Sequence, residues 1–281
     1  MLIPGLVRRV VREALDEDIG EGDVTSEATV AADARARGSL LAKQELVVAG
    51  LEVALTAFRL LDPKVNWEAG AADGDRVAAG TVLGKIEGNA RALLAAERVA
   101  LNFLQRLSGV ATLTRRFVDA AAGTPARIRD TRKTTPLLRF LEKHAVEVGG
   151  GVLHRAGLDE ALLVKDNHVR LAGGIAEATR RAVAGAGGRA VEIEVERPDQ
   201  IEGAIAAGAE MILLDNFDPE AVRQAMAAVA GRVPLEVSGG VSLDTVRRYA
   251  EAGPDFIAVG ALTHSAPAVD ISLEIEPTSA R

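Results

Sequence analysis

Cysteine is absent from this 281-residue chain. That excludes disulfides, thiolate nucleophiles and cysteine-ligated metals. Long apolar runs are missing too: none approaches the roughly 18 residues that suggest a membrane span. The chain has no excess of positive charge. Its 33 Lys and Arg stand against 40 Asp and Glu, a net −7, which argues against nucleic acid as a partner. No nucleotide fingerprint is present either. Gly80-Thr81-Val82-Leu83-Gly84-Lys85 lacks the spacing of a P-loop, and no G-x-G-x-x-G follows a strand-like piece. The histidines, His144, His154, His168 and His264, never pair at helical ligand spacing. The segment 1–13 mixes Arg8, Arg9 and Arg12 with apolar residues and offers no small-residue cleavage site. It reads as a helix rather than a leader, and a cytoplasmic location is expected.

What is present is 48% hydrophobic and 26% charged residues, as in a folded protein with a sizeable core. The charge is uneven. Residues 127–170 hold nine Lys and Arg against six Asp and Glu, a local +3, so the remainder carries −10. A positive region within an acidic chain suits a small anionic ligand; a solvated helix face is the plainer alternative.

Apolar spacing predicts a helix over 6–17, strand-like pieces at 38–42 and 45–48, a helix over 51–61, and turns and strands over 73–86. A helix over 90–107 closes this part. Beyond Gly109, short apolar pieces (126–129, 161–164, 190–195, 211–214, 235–237, 256–259) alternate with helical stretches. Asp130, Lys165, Glu194, Asp215, Ser238 and Gly260 close them at intervals of 21 to 35 residues, the pace of βα units. Buried parallel strands covered by helices follow. The fold class expected is α/β, an incomplete (β/α) barrel, with a seventh strand hidden near 149–154. A doubly wound open sheet is less consistent, because polar residues close every strand instead of gathering at one switch point.

Those strand ends carry the chemistry. Asp130-Thr131-Arg132-Lys133-Thr134-Thr135 sets two cations and three hydroxyls before a helix expected to start near Pro136, whose first N–H groups would favour an anion. Gly149-Gly150-Gly151 leads to His154 and Arg155, and Lys165-Asp166-Asn167-His168 ends an apolar strand. Such a lysine is a Schiff-base former, an electrostatic clamp or a snorkelling surface residue. Glu192, Glu194 and Glu196 share one strand face and, with Asp215, suggest a partly hydrated Mg²⁺ site or a set of ion pairs. Ser238-Gly239-Gly240 and Val259-Gly260-Ala261 close the last two strands as phosphate loops would.

Taken with Glu97-Arg98, Leu107–Thr112, Glu142–Val146, Leu214-Asp215-Asn216 and the opening Glu13–Asp18, these segments resemble the quinolinate phosphoribosyltransferase family nearly end to end. The resemblance implies an N-terminal open-faced α/β sandwich domain over 1–108, a seven-stranded α/β barrel over 109–265, and a segment over 266–281 whose strand, Asp270–Ile275, returns to the first domain. It implies a cytoplasmic homodimer with shared sites, or a hexamer, in which Arg98 reaches into the partner's site. Arg132, His154, Arg155 and Lys165 would hold the carboxylates of quinolinate. Thr131, Lys133, Glu194 and Asp215 would handle phosphoribosyl pyrophosphate and Mg²⁺, and Ser238, Gly239, Gly240, Val259, Gly260 and Ala261 the 5′-phosphate. Arg132, Lys133, Lys165, Glu194 and Asp215 are the expected catalytic set. Two positions depart from the family pattern: Leu153 stands for asparagine and Leu137 for glycine. Rival readings are a Schiff-base aldolase using Lys165, a nicotinate phosphoribosyltransferase, and the non-catalytic molybdate-operon relative. Neither redox cofactor nor pyridoxal is needed, and no membrane or nucleic-acid partner is expected.

Overall fold

Pro4 lacks a backbone donor but suits the first helical turn, and helix α1 (Pro4–Ile19) begins there. Val7, Val10, Val11 and Leu15 recur at helical spacing and are buried; Gly20, at φ 53°, ends the helix. In the computed structural model, which describes residues 2–278, α2 (Val24–Thr29), β1 (Arg35–Ala42), β2 (Leu46–Val47), α3 (Leu51–Leu61), β3 (Asn66–Ala69), β4 (Arg76–Val77) and β5 (Val82–Asn89) follow. Helix α4 (Ala90–Ala121) comes next. Where the sequence predicts an end at Leu107, α4 runs on through Gly109. A Cβ there would lie 2.2 Å from the Pro267 carbonyl oxygen, so the glycine permits a close backbone approach rather than a helix stop.

After α4 come β6 (Arg127–Arg129), α5 (Arg139–Val148), β7 (Leu162–Val164), α6 (Asp166–Ala172), α7 (Ile175–Gly185), β8 (Val191–Val195), α8 (Asp199–Ala206) and β9 (Met211–Asp215). The chain continues through α9 (Pro219–Val229), β10 (Leu235–Ser238), α10 (Val246–Ala252), β11 (Phe256–Ala258), α11 (Ala261–His264) and β12 (Ile271–Pro277). Contacts divide it into two units. The first holds residues up to Arg115, Thr135–Gly150 and those from Ser265 onward; the second holds Arg116–Thr134 and Gly151–His264.

The first unit contains an antiparallel sheet in the order β12-β1-β5-β3 and a separate two-stranded pairing of β2 with β4. The C-terminal strand is part of this sheet: β12 pairs with β1 from Ile271↔Ala42 to Pro277↔Ala36.

The second unit contains a parallel sheet in the order β6-β11-β10-β9-β8-β7. All six apolar pieces beyond Gly109 are its strands. The hidden seventh strand is reduced to a single parallel bridge between Arg129 and Val152. This is a partial β/α barrel. Ile193, Ile212, Leu214, Val237 and Ile257 are fully buried in its strands, each worth about 1.5–3 kcal/mol of apolar transfer. That core holds the carboxyl ends of neighbouring strands in register, and the polar residues closing them converge.

Candidate active site

Parallel strands put their carboxyl ends at one rim. In the second unit that rim encloses a cavity of about 580 Å³ lined by Thr131, Arg132, Lys133, His154, Arg155, Lys165, Glu194, Asp215, Asn216, Glu236 and Ser238–Gly240, with Leu163, Leu213 and Ala258 supplying apolar wall. The Nε atoms of Arg132 and Arg155 are buried and have no hydrogen-bond partner. Burial, and secondly the like charge of Arg132, lower the pKa of Arg155 from its usual value. Two guanidinium groups are thus held close to one another at the wall. Arg155 is anchored through Nη1, which donates to the Ala161 carbonyl at 2.8 Å.

Lys165 caps the start of α6. Its backbone N–H donates to His168 Nδ1 at 2.9 Å, and its Nζ lies 3.2 Å from Glu194 Oε2. The Lys133 amide donates to Thr131 Oγ1 at 3.0 Å, and its carbonyl accepts from Thr263 Oγ1 at 2.8 Å, which fixes the loop after β6.

Beneath the cations lies a buried polar floor. The His154 amide donates to Asp130 Oδ1 at 2.6 Å, and His154 Nε2 sits 2.8 Å from Glu192 Oε2 and 3.9 Å from Glu236 Oε1. Arg129 Nη1 donates to Glu236 Oε2 at 2.6 Å while its guanidinium stands 4.7 Å from the centre of the Phe256 ring. Burial, then the neighbouring Glu192, push the Glu236 carboxyl up to about 8. His154, Glu192 and Glu236 have ligand atoms close enough to hold a metal ion. However, Arg129 Nη1 already bonds Glu236 Oε2, so that carboxyl is engaged within the protein.

The donors for a hard divalent cation are at the rim. Glu194 and Asp215 come from the adjacent parallel strands β8 and β9 and both line the cavity. Carboxylate oxygens suit Mg²⁺, so the residues fit it. Asp215 Oδ2 accepts from Asn216 Nδ2 at 2.8 Å. Asn216 takes φ 58°, and its amide donates to the Ser238 carbonyl at 2.8 Å. Gly239 has φ 97°, and a Cβ there would fall 2.1 Å from Asn216 Oδ1. Only glycine lets these two loops interlock.

Most residues singled out in the sequence therefore meet in one cavity: Thr131, Arg132, Lys133, His154, Arg155, Lys165, Glu194, Asp215, Ser238, Gly239 and Gly240. Val259, Gly260 and Ala261 do not line it. Val259 is buried, Gly260 packs on the Lys133 side chain, and Ala261 opens α11, leaving Ala258 as the lining residue of that strand end. Arg98 is exposed on α4 in the first unit. The face shared by Glu192, Glu194 and Glu196 does not become one carboxylate cluster. Residues two apart on a strand differ by about 6.6 Å in height, so Glu192 pairs with His154 below, Glu194 with Lys165 at the rim, and exposed Glu196 lies past the end of β8. The helix expected near Pro136 starts at Arg139, because Leu137 takes φ 66° and breaks the turn. The Thr135 amide, just before that proline, donates to buried Glu142 at 3.0 Å.

Sequence reasoning missed Glu236 and Arg129. A lone glutamate between Leu235 and Val237, inside an apolar strand, was the available signal for the first.

Comparison with known proteins matches this geometry to a family. Residues 23–108 match the quinolinate phosphoribosyl transferase N-terminal domain and residues 110–274 its C-terminal domain. The chain is 44% identical over 279 residues to nicotinate-nucleotide pyrophosphorylase [carboxylating] of Mycobacterium leprae, covering 95% of this chain and 96% of that protein. It is 40% identical over 270 residues to the probable enzyme of the same name from Bacillus subtilis, covering 96% and 93%. The solved nicotinate-nucleotide pyrophosphorylase of Francisella tularensis superposes with a TM-score of 0.95 at 38% identity, covering 98% of each chain. With both domain descriptions matched and relatives aligned over nearly their whole length, the chain belongs to the quinolinate phosphoribosyltransferase family.

Proposed function

We infer that this protein transfers the phosphoribosyl group of phosphoribosyl pyrophosphate to quinolinate, releasing pyrophosphate and CO₂ and giving nicotinate mononucleotide for NAD biosynthesis. The observation that carries this reading is the pair of unpartnered, buried guanidinium Nε groups beside Lys165 in one cavity. Such a cluster is costly without an anion to answer it, and a pyridine dicarboxylate supplies two.

In the reaction the ring nitrogen displaces pyrophosphate from C1 of the sugar through an oxocarbenium-like state. Arg132, Arg155 and Lys165 orient the carboxylates so that the nitrogen faces C1. Lys133, with Thr131, binds the leaving group, and the carboxylates of Glu194 and Asp215 oppose the positive charge that develops on the sugar. Glu194 and Asp215 would also hold Mg²⁺, which supplies positive charge to pyrophosphate as the C–O bond breaks. The Ser238–Gly240 turn, with positive φ at Gly239 and Gly240, presents backbone N–H groups to the 5′-phosphate. Once alkylated, the ring nitrogen is cationic. It stabilises the electron pair left at C2 when that carboxylate departs as CO₂, and a proton then fills the position.

Among the described residues no helix is long and apolar enough to cross a membrane. The reading includes a cytoplasmic homodimer in which exposed Arg98 serves the partner's site. Incubating the protein with both substrates and Mg²⁺ tests the assignment by mass detection of nicotinate mononucleotide. No product from quinolinate in the presence of active phosphoribosyl pyrophosphate would overturn it.

A further inference from the structure

His154 is held at three points within the second unit. Its backbone N–H donates to buried Asp130, at 2.6 Å. The backbone N–H of Arg155 donates to His154 Nδ1 at 2.8 Å. Nε2 lies 2.8 Å from Glu192 Oε2, and both side chains are only 8% exposed. These contacts fix the proton. A nitrogen that accepts an N–H bond cannot carry its own hydrogen, so Nδ1 is bare, and a carboxylate at Nε2 requires a donor there. The imidazole is therefore neutral, with its hydrogen on Nε2. Protonating Nδ1 would set two N–H groups against each other and release the Arg155 amide.

We propose that His154 is a positioning residue rather than a cationic ligand of the substrate: it is locked in the neutral Nε2–H tautomer and sets the backbone from which Arg155 reaches its carboxylate. This rests on the reading of the cavity as a dicarboxylate site. It reassigns one of the groups expected to bind the carboxylates, leaving Arg132, Arg155 and Lys165 as the cations of this cavity's ring end. Charged groups of both signs face the imidazole, and the bond accepted at Nδ1 is what sets the neutral form. Glu192 takes its hydrogen, the Glu236 carboxyl is paired with Arg129, and Arg132 and Arg155 put two positive charges on the cavity side. A third cation beside that pair would add to its repulsion.

The tautomer is read directly from ¹⁵N-histidine NMR of the substrate-free protein, with His154 assigned by elimination using His144→Gln, His168→Gln and His264→Gln. The expected signal is that of a single tautomer with its hydrogen on Nε2 and a bare Nδ1. A hydrogen on Nδ1, in the other tautomer or in a doubly protonated ring, overturns the proposal. Because no substrate is needed, this result is independent of the reaction assignment.

Kinetics then tests the positioning role. His154→Asn keeps an oxygen that can accept the Arg155 N–H, whereas His154→Gln keeps a donor for Glu192 and loses that acceptor. We expect the quinolinate KM to rise about tenfold more in His154→Gln than in His154→Asn, with the phosphoribosyl pyrophosphate KM changing by less than about threefold in either. Equal increases in quinolinate KM in both variants would overturn it.

Discussion

Replacing quinolinate by nicotinate removes only the C2 carboxylate, so it probes the cationic wall without altering the protein. In the cavity, Arg132 and Arg155 have buried Nε groups without partners, and Lys165 is 48% exposed and already paired with Glu194. The lost partner is therefore charged mainly to a guanidinium. Leaving a buried cation unpaired costs about 3–5 kcal/mol. Arg155 is only half-buried and water can enter the vacated space, so the lower end, about 3 kcal/mol, applies here. At about 1.4 kcal/mol per decade, that is a preference for quinolinate of roughly 10² in kcat/KM. Nicotinate also cannot lose CO₂ from C2, so its reaction lacks that irreversible step. The assay is kcat/KM for each acid at saturating phosphoribosyl pyrophosphate and Mg²⁺. A ratio within about tenfold of unity would refute the dicarboxylate clamp and favour the nicotinate enzyme.

Lys165→Ala is expected to lose about 10² or more of kcat while its melting temperature stays near that of the parent, since an exposed ion pair contributes under about 1 kcal/mol to stability; parent-like turnover would sink its assignment. Mixing inactive Arg98→Ala with inactive Lys165→Ala should restore part of the activity through hybrid dimers that contain one intact shared site, and no recovery after verified subunit exchange would count against Arg98 acting across an interface. Glu236 supplies a pH test. Its folded pKa, raised to about 8 by burial, exceeds the unfolded value near 4.5, so the native state binds the extra proton between them. The stability this proton gives is complete below about pH 4.5 and is lost as pH rises toward 8, with a slope of up to about 1.4 kcal/mol per unit. Denaturant titrations should show the parent weakening relative to Glu236→Gln over that window; parallel curves would mean Glu236 is already ionised in the folded state.

The barrel strands were legible because they are short, mainly apolar pieces closed by a polar residue or glycine and spaced by helical stretches, and parallel strands buried on both faces leave that signature. Two of the strand ends were legible for the same reason: Lys165 and Asp215 each follow an apolar run directly. Other features depended on partners distant in the chain. Gly109 reads as a helix stop until the Pro267 carbonyl is seen against it. Val152 makes a single bridge, too short for any periodicity. Glu236 resembles an interruption in a core strand because its compensation, Arg129, lies 107 residues away. Spacing along β8 correctly set Glu192 and Glu194 on one face, but not the depth at which each meets His154 or Lys165. The start of α5 was misplaced because proline marks a helix beginning only when the next residue is helical, and Leu137 is not.

Quinolinate carrying a labelled carbon in its C2 carboxylate provides the most direct measurement of the reaction itself. Incubated with phosphoribosyl pyrophosphate, Mg²⁺ and the protein, it should yield labelled CO₂ and pyrophosphate in equal amounts, with the label absent from the nucleotide formed. Pyrophosphate released without labelled CO₂, or a nucleotide that keeps the label, would contradict the assignment of this cavity to decarboxylating phosphoribosyl transfer.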